Sequence, residues 1–231
     1  MEAIILAGGL GSRLRNVISD LPKCLALIED KPFLDFVIKH LLNNNVRKII
    51  FSLGYKSELV LHYLEKNYSN LNYDYCLETI PLGTGGALKL ALSKTNCDNV
   101  IVVNGDTFLN SNLSYLYNKH LENDSVCSFY IKEMNYFERY GTIKINRKNK
   151  VISIIEKKYC EKGFINTGQY ILNVESYLKN TPNGIFSFET DFMEKQYKLN
   201  NFFAFKINDY FIDIGIPEDF NKAQKELVVF K

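Results

Sequence analysis

Residues 3–23 read AIILAGGLGSRLRNVISDLPK. The apolar run Ala3, Ile4, Ile5, Leu6, Ala7 predicts a buried β-strand, and it empties without a spacer into Gly8, Gly9, Leu10, Gly11, Ser12 and Arg13. Glycines open backbone conformations closed to other residues, so such a loop is able to turn its N–H groups onto an anion. Arg13 adds a permanent positive charge on a planar donor fork, and Lys23, after Leu21 and Pro22, adds a more mobile point charge. Phosphate is the ligand class these groups suit. The spacing G-G-x-G, with no Lys after the last glycine, fits neither the dinucleotide fingerprint G-x-G-x-x-G nor the P-loop G-x-x-x-x-G-K-[ST]. A plain tight turn between strand and helix is the bland alternative; the Arg inside the loop and the S-D-L-P-K ending at Lys23 weigh against it.

Outward from this loop, strand and helix patterns alternate. Pro32 opens a helix through about Asn43, with Phe33, Leu34, Val37, Ile38, Leu41 and Leu42 on one apolar stripe. A strand follows over residues 46–53, an amphipathic helix over 56–66, and further strands over 71–77 and 99–103. This alternation up to about residue 104 predicts an α/β fold with a Rossmann-like, doubly wound, mostly parallel sheet, whose ligands sit at the carboxyl ends of the strands. From Ser125 the pattern changes. Residues 125–131, 142–145, 151–156 and 165–172 alternate or run apolar, and N-R-K-N-K between the middle pair predicts a hairpin, so an antiparallel extension is expected. A helix over 188–198 capped by Ser187, a strand over 201–207 and a last amphipathic helix opened by Pro217, Glu218 and Asp219 complete the chain. With no linker rich in Pro, Gly or Ser before Ser125, residues 1–231 are expected to form a single domain.

The chain has 231 residues, 46% hydrophobic and 23% charged, enough to bury a sizeable core. A net charge of +2 without a long basic run gives no electrostatic footprint for nucleic acid and leaves small acidic substrates open. The five cysteines are scattered and never spaced C-x-x-C, which argues against a disulfide framework and a zinc site and predicts reduced thiols in a cytoplasmic protein. No stretch approaches the roughly 18–20 apolar residues of a membrane helix, so no membrane span is expected.

Further segments carry candidate chemistry, each with a plainer alternative. Residues 78–87, ETIPLGTGGA, form a loop before a helix. Residues 104–107, NGDT, place Asp106 at a strand's carboxyl end, where a turn-capping role is the plain one; residues 210–218, YFIDIGIPE, place a second acid, Asp213, after another apolar run. Tyr140-Gly141, Glu156-Lys157 and Asn166-Thr167-Gly168 read on their own as loop residues, solvated charges and a turn.

Taken together, L-A-G-G-L-G-S-R-L at residues 6–14 and L-P-K at 21–23 resemble the N-terminal signature of the sugar nucleotidyltransferases, and the resemblance extends over nearly the whole chain. It implies a nucleotidyltransferase type A fold with a nucleotide-binding part over 1–120 and a sugar-phosphate-binding part over 121–231. It also implies a reaction in which an NTP and a sugar 1-phosphate give a nucleoside diphosphate sugar and pyrophosphate. Leu6, Ala7, Gly8, Gly9, Gly11, Ser12, Arg13, Lys23, Glu78, Pro81, Gly83, Thr84, Gly105 and Asp106 match the nucleotide side. Gly141, Glu156, Lys157 and Asn166 match the sugar-phosphate side, where the family usually has Ala in place of Thr167. Arg13, Lys23 and Asp106 match the catalytic positions, and Asp106 and Asp213 match the ligands of a Mg²⁺ cofactor. The Trp that often precedes the second acid is missing.

In the family the residue at Glu78 reads the nucleobase edge. A carboxylate accepts only, so it suits the adjacent N1–H and N2–H₂ donors of guanine and opposes the carbonyl-flanked edge of uracil or thymine, which predicts GTP. F-L-D-F from Phe33, S-L-G-Y from Ser52, F-S-F-E-T-D from Phe186 and D-I-G-I-P-E-D-F from Asp213 resemble the branch acting on D-glycero-D-manno-heptose 1-phosphate, the product serving surface polysaccharide synthesis. Mannose 1-phosphate, or uridylyl and thymidylyl transfer to another hexose phosphate, stays open. So do a glycosyltransferase of related fold, disfavoured by G-D-T in place of D-x-D, and a catalytically silent sensor. Monomer and homodimer are equally compatible with the sequence.

Overall fold

The computed structural model describes residues 1–9, 11, 14, 21–155 and 157–230. Strand β1 (Glu2–Leu6) lies at the centre of the parallel strands, with Ala3, Ile4 and Ile5 fully buried. Its side chains alternate between two cores: Ala3 and Ile5 join one cluster and Ile4 the other, as a strand covered on both faces must do. A 3-10 turn (Lys23–Leu25) and the ribbon of β2 (Leu27–Ile28) with β3 (Lys31–Pro32) lead into α1 (Phe33–Asn43). Then come β4 (Lys48–Leu53), α2 (Ser57–Asn67), β5 (Tyr73–Leu77), α3 (Gly83–Ala91) and β6 (Asn99–Asn104).

The four parallel strands lie in the order β6-β1-β4-β5. The chain steps outward from β1 to β4 and β5 and then returns to the opposite side of β1. The winding therefore reverses between β1 and β6, and the crevice beyond such a reversal is where open α/β sheets bind ligands.

The second half comprises β7 (Thr107–Leu109), α4 (Leu113–Glu122), β8 (Cys127–Phe137), β9 (Thr142–Ile145), β10 (Val151–Ile155), β11 (Cys160–Asn173) and α5 (Val174–Lys179). A π-helical turn (Phe188–Met193) runs into the single α-turn α6 (Glu194–Gln196), followed by β12 (Phe202–Lys206), β13 (Phe211–Asp213) and α7 (Pro217–Glu226). Strand β11 pairs antiparallel with β6, β8 and β9, so the extension continues the parallel sheet; among the described residues nine strands form it.

The α/β architecture agrees with the sequence pattern, and three details differ. Helices α4 and α5 are not anticipated. Each starts on an Asn whose side chain accepts a backbone N–H two residues into the helix, Asn112 from Tyr115 and Asn173 from Ser176. Strand β12 runs parallel to β8, because antiparallel β11 ends beside the start of β8 and residues 174–201 bring the chain back into the sheet from that same end, on the other side of β8. The helix expected over 188–198 is the π-turn followed by α6, although Ser187 does cap it by accepting the Thr190 N–H. Among the described residues no helix is long and apolar enough to cross a membrane.

Candidate active site

The carboxyl ends of β1, β4, β5 and β6 meet around one cleft of about 590 Å³. Backbone hydrogen bonds carry the sheet register into its loops. The Ala7 N–H donates to the Ser52 carbonyl (2.9 Å), Gly105 to Leu6 (2.8 Å), Tyr55 to Gly8 (3.3 Å) and Glu78 to Leu53 (2.9 Å). Four successive strand ends are thereby tied at the reversal point. A Cβ on Gly8 would stand 2.2 Å from Glu78 Oε1, so a larger residue there would push the Glu78 carboxylate aside.

On the other wall, Lys23 bridges two acids. Its Nζ donates to Asp106 Oδ2 at 2.6 Å and lies 3.8 Å from Asp213 Oδ1. The small sheet of β7 and β13 creates this meeting: Asp213 pairs with Thr107, and the Ile214 N–H donates to the Asp106 carbonyl (3.0 Å). Burial and the nearby Asp106 charge push the Asp213 carboxyl above the usual carboxylate range. Lys23, the Tyr140 hydroxyl (3.1 Å to Oδ2) and the Gly215 N–H (2.7 Å to Oδ1) pull it back down. Arg139 pairs with Asp219 and lies over the Tyr140 ring, 5.3 Å from its centroid, which fixes the tyrosine from behind.

Two carboxylates already holding one cation form a hard-oxygen pair suited to a small dication that keeps water and takes substrate phosphate. Asp106 and Asp213 fit Mg²⁺ in that sense; among the described residues no group of three or more His, Cys, Asp or Glu converges anywhere. Cys24 also lines the cleft, but burial raises its thiol to about 12, so it stays protonated and is no nucleophile at neutral pH.

Leu6, Ala7, Gly8, Gly9, Gly11, Lys23, Glu78, Pro81, Gly83, Thr84, Gly105 and Asp106 all line the cleft. Ser12, Arg13 and Glu156 lie outside the described residues. Gly141, Lys157, Asn166 and Asp213 are not among the lining residues; Asp213 reaches the cleft only through its contact with Lys23. Lys157 is exposed beyond β10, while Asn166 is held internally: Oδ1 accepts the Gly168 N–H (3.0 Å) and Nδ2 donates to the Tyr170 hydroxyl (2.7 Å). Thr167 donates to the Tyr130 carbonyl (3.0 Å), so its hydroxyl is satisfied inside the sheet. Glu78 presents a half-buried carboxylate to the cleft; burial raises its pKa, and the Leu82 N–H, donating to Oε2 at 2.8 Å, offsets part of that.

Sequence reasoning did not single out Ser52, Gly54, Tyr55, Asn104 or Gly215 as cleft residues. The first four stand at strand carboxyl ends, the position that already marks Gly8 and Asp106, so that signal was present. Tyr140, named in the sequence only beside Gly141, carries no local sign of its contact with Asp213, which depends on how the extension folds back.

The profile of one family, nucleotidyl transferase, matches residues 2–228. The chain belongs to the nucleotidyl transferase family. This nucleotidyl transferase is 44% identical to the D-glycero-alpha-D-manno-heptose 1-phosphate guanylyltransferase of Aneurinibacillus thermoaerophilus, over 98% of each chain. It is 40% identical to the protein of the same name from Campylobacter jejuni, over 95% of this chain and 97% of that one. The crystal structure of HddC from Yersinia pseudotuberculosis complexed with GMP-PN superposes with a TM-score of 0.87 at 39% identity, covering 98% of this chain and 99% of that one. The likeness thus spans the parallel core and its antiparallel extension alike, and the nucleotidyl transferase fold is common to both chains.

Proposed function

We infer that the protein transfers GMP from GTP to D-glycero-D-manno-heptose 1-phosphate, forming a GDP-sugar and releasing pyrophosphate, in the cytoplasm and on the way to a capsule or lipopolysaccharide. The observation that carries this reading is the full-length 44% identity to an enzyme of that name, joined to a cleft at the sheet's reversal point where Lys23 stands between Asp106 and Asp213.

Two polyanions must meet there. A phosphate oxygen of the sugar 1-phosphate attacks the α-phosphorus, the bond to the β-phosphate oxygen breaks, and pyrophosphate leaves with its electron pair. Positioning and charge neutralisation account for nearly all the catalysis in such transfers. The loop at residues 8–13 offers backbone N–H groups and the Arg13 guanidinium to the triphosphate. Lys23 neutralises charge between the α-phosphate and the incoming sugar phosphate. Asp106 and Asp213 would hold Mg²⁺, which when bound offsets the triphosphate charge.

Glu78 accepts from guanine N1–H and N2–H₂, with its carboxylate steadied by Leu82. On the sugar side, Glu156 and Asn166 take hydroxyls, Gly141 offers its backbone and Lys157 meets the sugar phosphate. Asn166 has capacity for this through its amide oxygen, which carries two lone pairs and accepts the Gly168 N–H, while Nδ2 already donates to the Tyr170 hydroxyl and to Met193 Sδ.

Pyrophosphate release from purified protein mixed with GTP, Mg²⁺ and a panel of heptose, mannose and glucose 1-phosphates tests the assignment. The heptose phosphate is expected to give the highest kcat/KM. No pyrophosphate with any acceptor sinks the activity, and turnover with UTP or dTTP equal to that with GTP sinks the role of Glu78.

A further inference from the structure

Residues 79–84, a loop running into the first turn of α3, form one rim of the cleft, and Thr79, Ile80 and Pro81 are exposed, Ile80 to 57%. A loop so bare on its outer side is held by what lies behind it. Here that is a strap from the far half of the chain, residues 184–189. The Phe186 N–H donates to the Leu82 carbonyl (3.0 Å), and the Gly85 and Gly86 N–H groups both donate to the Phe186 carbonyl (3.0 and 3.3 Å). The fit is close enough that a Cβ on Gly85 would stand 2.3 Å from the Phe186 ring.

Thr84 completes the seam with its side chain. Its hydroxyl accepts the Phe188 N–H (2.9 Å) and donates to Glu189 Oε2 (2.8 Å); the Ser187 hydroxyl donates to that same oxygen (3.0 Å). Glu189 is absent from the cleft lining, yet one of its oxygens receives hydroxyls from the loop and from the strap.

We propose that Glu189 is a positioning residue for nucleotide recognition, its carboxylate fixing Thr84 and so holding the Glu78–Thr84 rim where the base and ribose dock. The proposal rests on the reading that this rim binds the nucleotide. A hydrogen bond to a charged acceptor ordinarily contributes enough to shift an equilibrium about tenfold when lost. The loss is expected to fall mainly on the nucleotide, because Glu189 bonds Thr84 on the rim directly, whereas its turn reaches Asn166 only through Met193 Sδ and through Phe188 packed on Tyr170.

The test is GTP binding by calorimetry, together with steady-state kinetics and thermal melting, for Glu189→Ala, Glu189→Asp and Glu189→Gln. Glu189→Ala is expected to raise both the Kd and the KM for GTP about tenfold. Its kcat and its KM for the best sugar 1-phosphate should stay within about twofold of native. Glu189→Asp keeps the charge on a stem too short to reach Thr84 and is expected to behave like Glu189→Ala, giving the same readout if the alanine variant does not fold. Glu189→Gln keeps an oxygen acceptor and is expected within about threefold of native. Native GTP affinity in both the alanine and aspartate variants overturns the proposal, as does an equal loss for both substrates accompanied by a lowered melting temperature. Should the native protein bind no GTP at all, the underlying nucleotide assignment falls too; native binding with unaffected variants removes only the role of Glu189.

Discussion

Lys23 has an ammonium 2.6 Å from one carboxylate and 3.8 Å from another, with its side chain only 12% exposed, so little solvent screens it. Substituting Lys23 by Ala leaves Asp106 and Asp213 facing each other without a counter-charge and removes a cation from the phosphate path. We expect kcat to fall ~10²- to 10³-fold for Lys23→Ala and likewise for Asp106→Asn, the usual cost of removing one preorganised electrostatic group. A pyrophosphate-release assay measures it, and near-native turnover in either variant removes that residue from the mechanism. Glu78 has a different task. Glu78→Gln keeps one acceptor oxygen but replaces the other with a donor, so GTP use should drop by about tenfold, on the scale of a lost hydrogen bond to a charged group, while KM for the sugar phosphate holds. Equal GTP KM values for Glu78→Gln and the native protein would remove the carboxylate from base recognition.

Among the elements, the irregular stretch of β11 packs behind the residues that flank Asp106. Its pairing with β8 shifts register between Asn166 and Tyr170, so Asn166-Thr167-Gly168 is a bulge rather than a free turn, and bulges beside active sites re-aim side chains. Gly168 sits at φ +77°, and a Cβ there would lie 2.8 Å from both Asn104 Nδ2 and Thr107 Oγ1, the residues flanking Gly105 and Asp106. Gly168→Ala is therefore predicted to cost roughly 1–3 kcal/mol of stability and to lower kcat by displacing Asp106. Urea unfolding and turnover check the two effects separately; an alanine variant with native stability would show that the bulge accommodates a side chain. Helix α4 teaches a complementary point. Leu113, Leu116 and His120 are buried at helical spacing behind the Asn112 cap, a pattern present in the sequence but too short to stand out without the β8 surface it covers.

Across the whole molecule, each core draws on both halves of the chain. One combines Ile4, Ile50 and Val102 with Phe129, Tyr170, Tyr177 and Phe192; the other combines Ile5, Phe51 and Val103 with Ile171, Phe205 and Ile212. Residues 1–120 expressed alone would expose β6, which β11 normally covers, and should show no cooperative melting; a sharp transition would indicate two independent units. Stability should also depend on two buried histidines. Burial lowers His40 and His120 to about 4 from the ordinary 6.5. The unfolded chain takes up those protons first. Their contribution is full above about pH 7 and is lost as pH falls from 6.5 towards 4, with a slope of up to roughly 1.4 kcal/mol per pH unit for each. Unfolding midpoints measured from pH 7 to pH 5 should decline, and His120→Gln should remove roughly half of the decline; an unchanged slope would show that His120 carries no such penalty. By itself the sequence determined the strand and helix alternation, the glycine loop at residues 8–11 and the acids at strand ends, because periodicity and turn chemistry are local. Only the tertiary structure decided that Asp213 reaches Lys23, that Tyr140 steadies Asp213, and that residues 184–189 brace the rim at Thr84. Those contacts join segments far apart in the chain, and their geometry is fixed by sheet order and crossover packing, which no local pattern encodes.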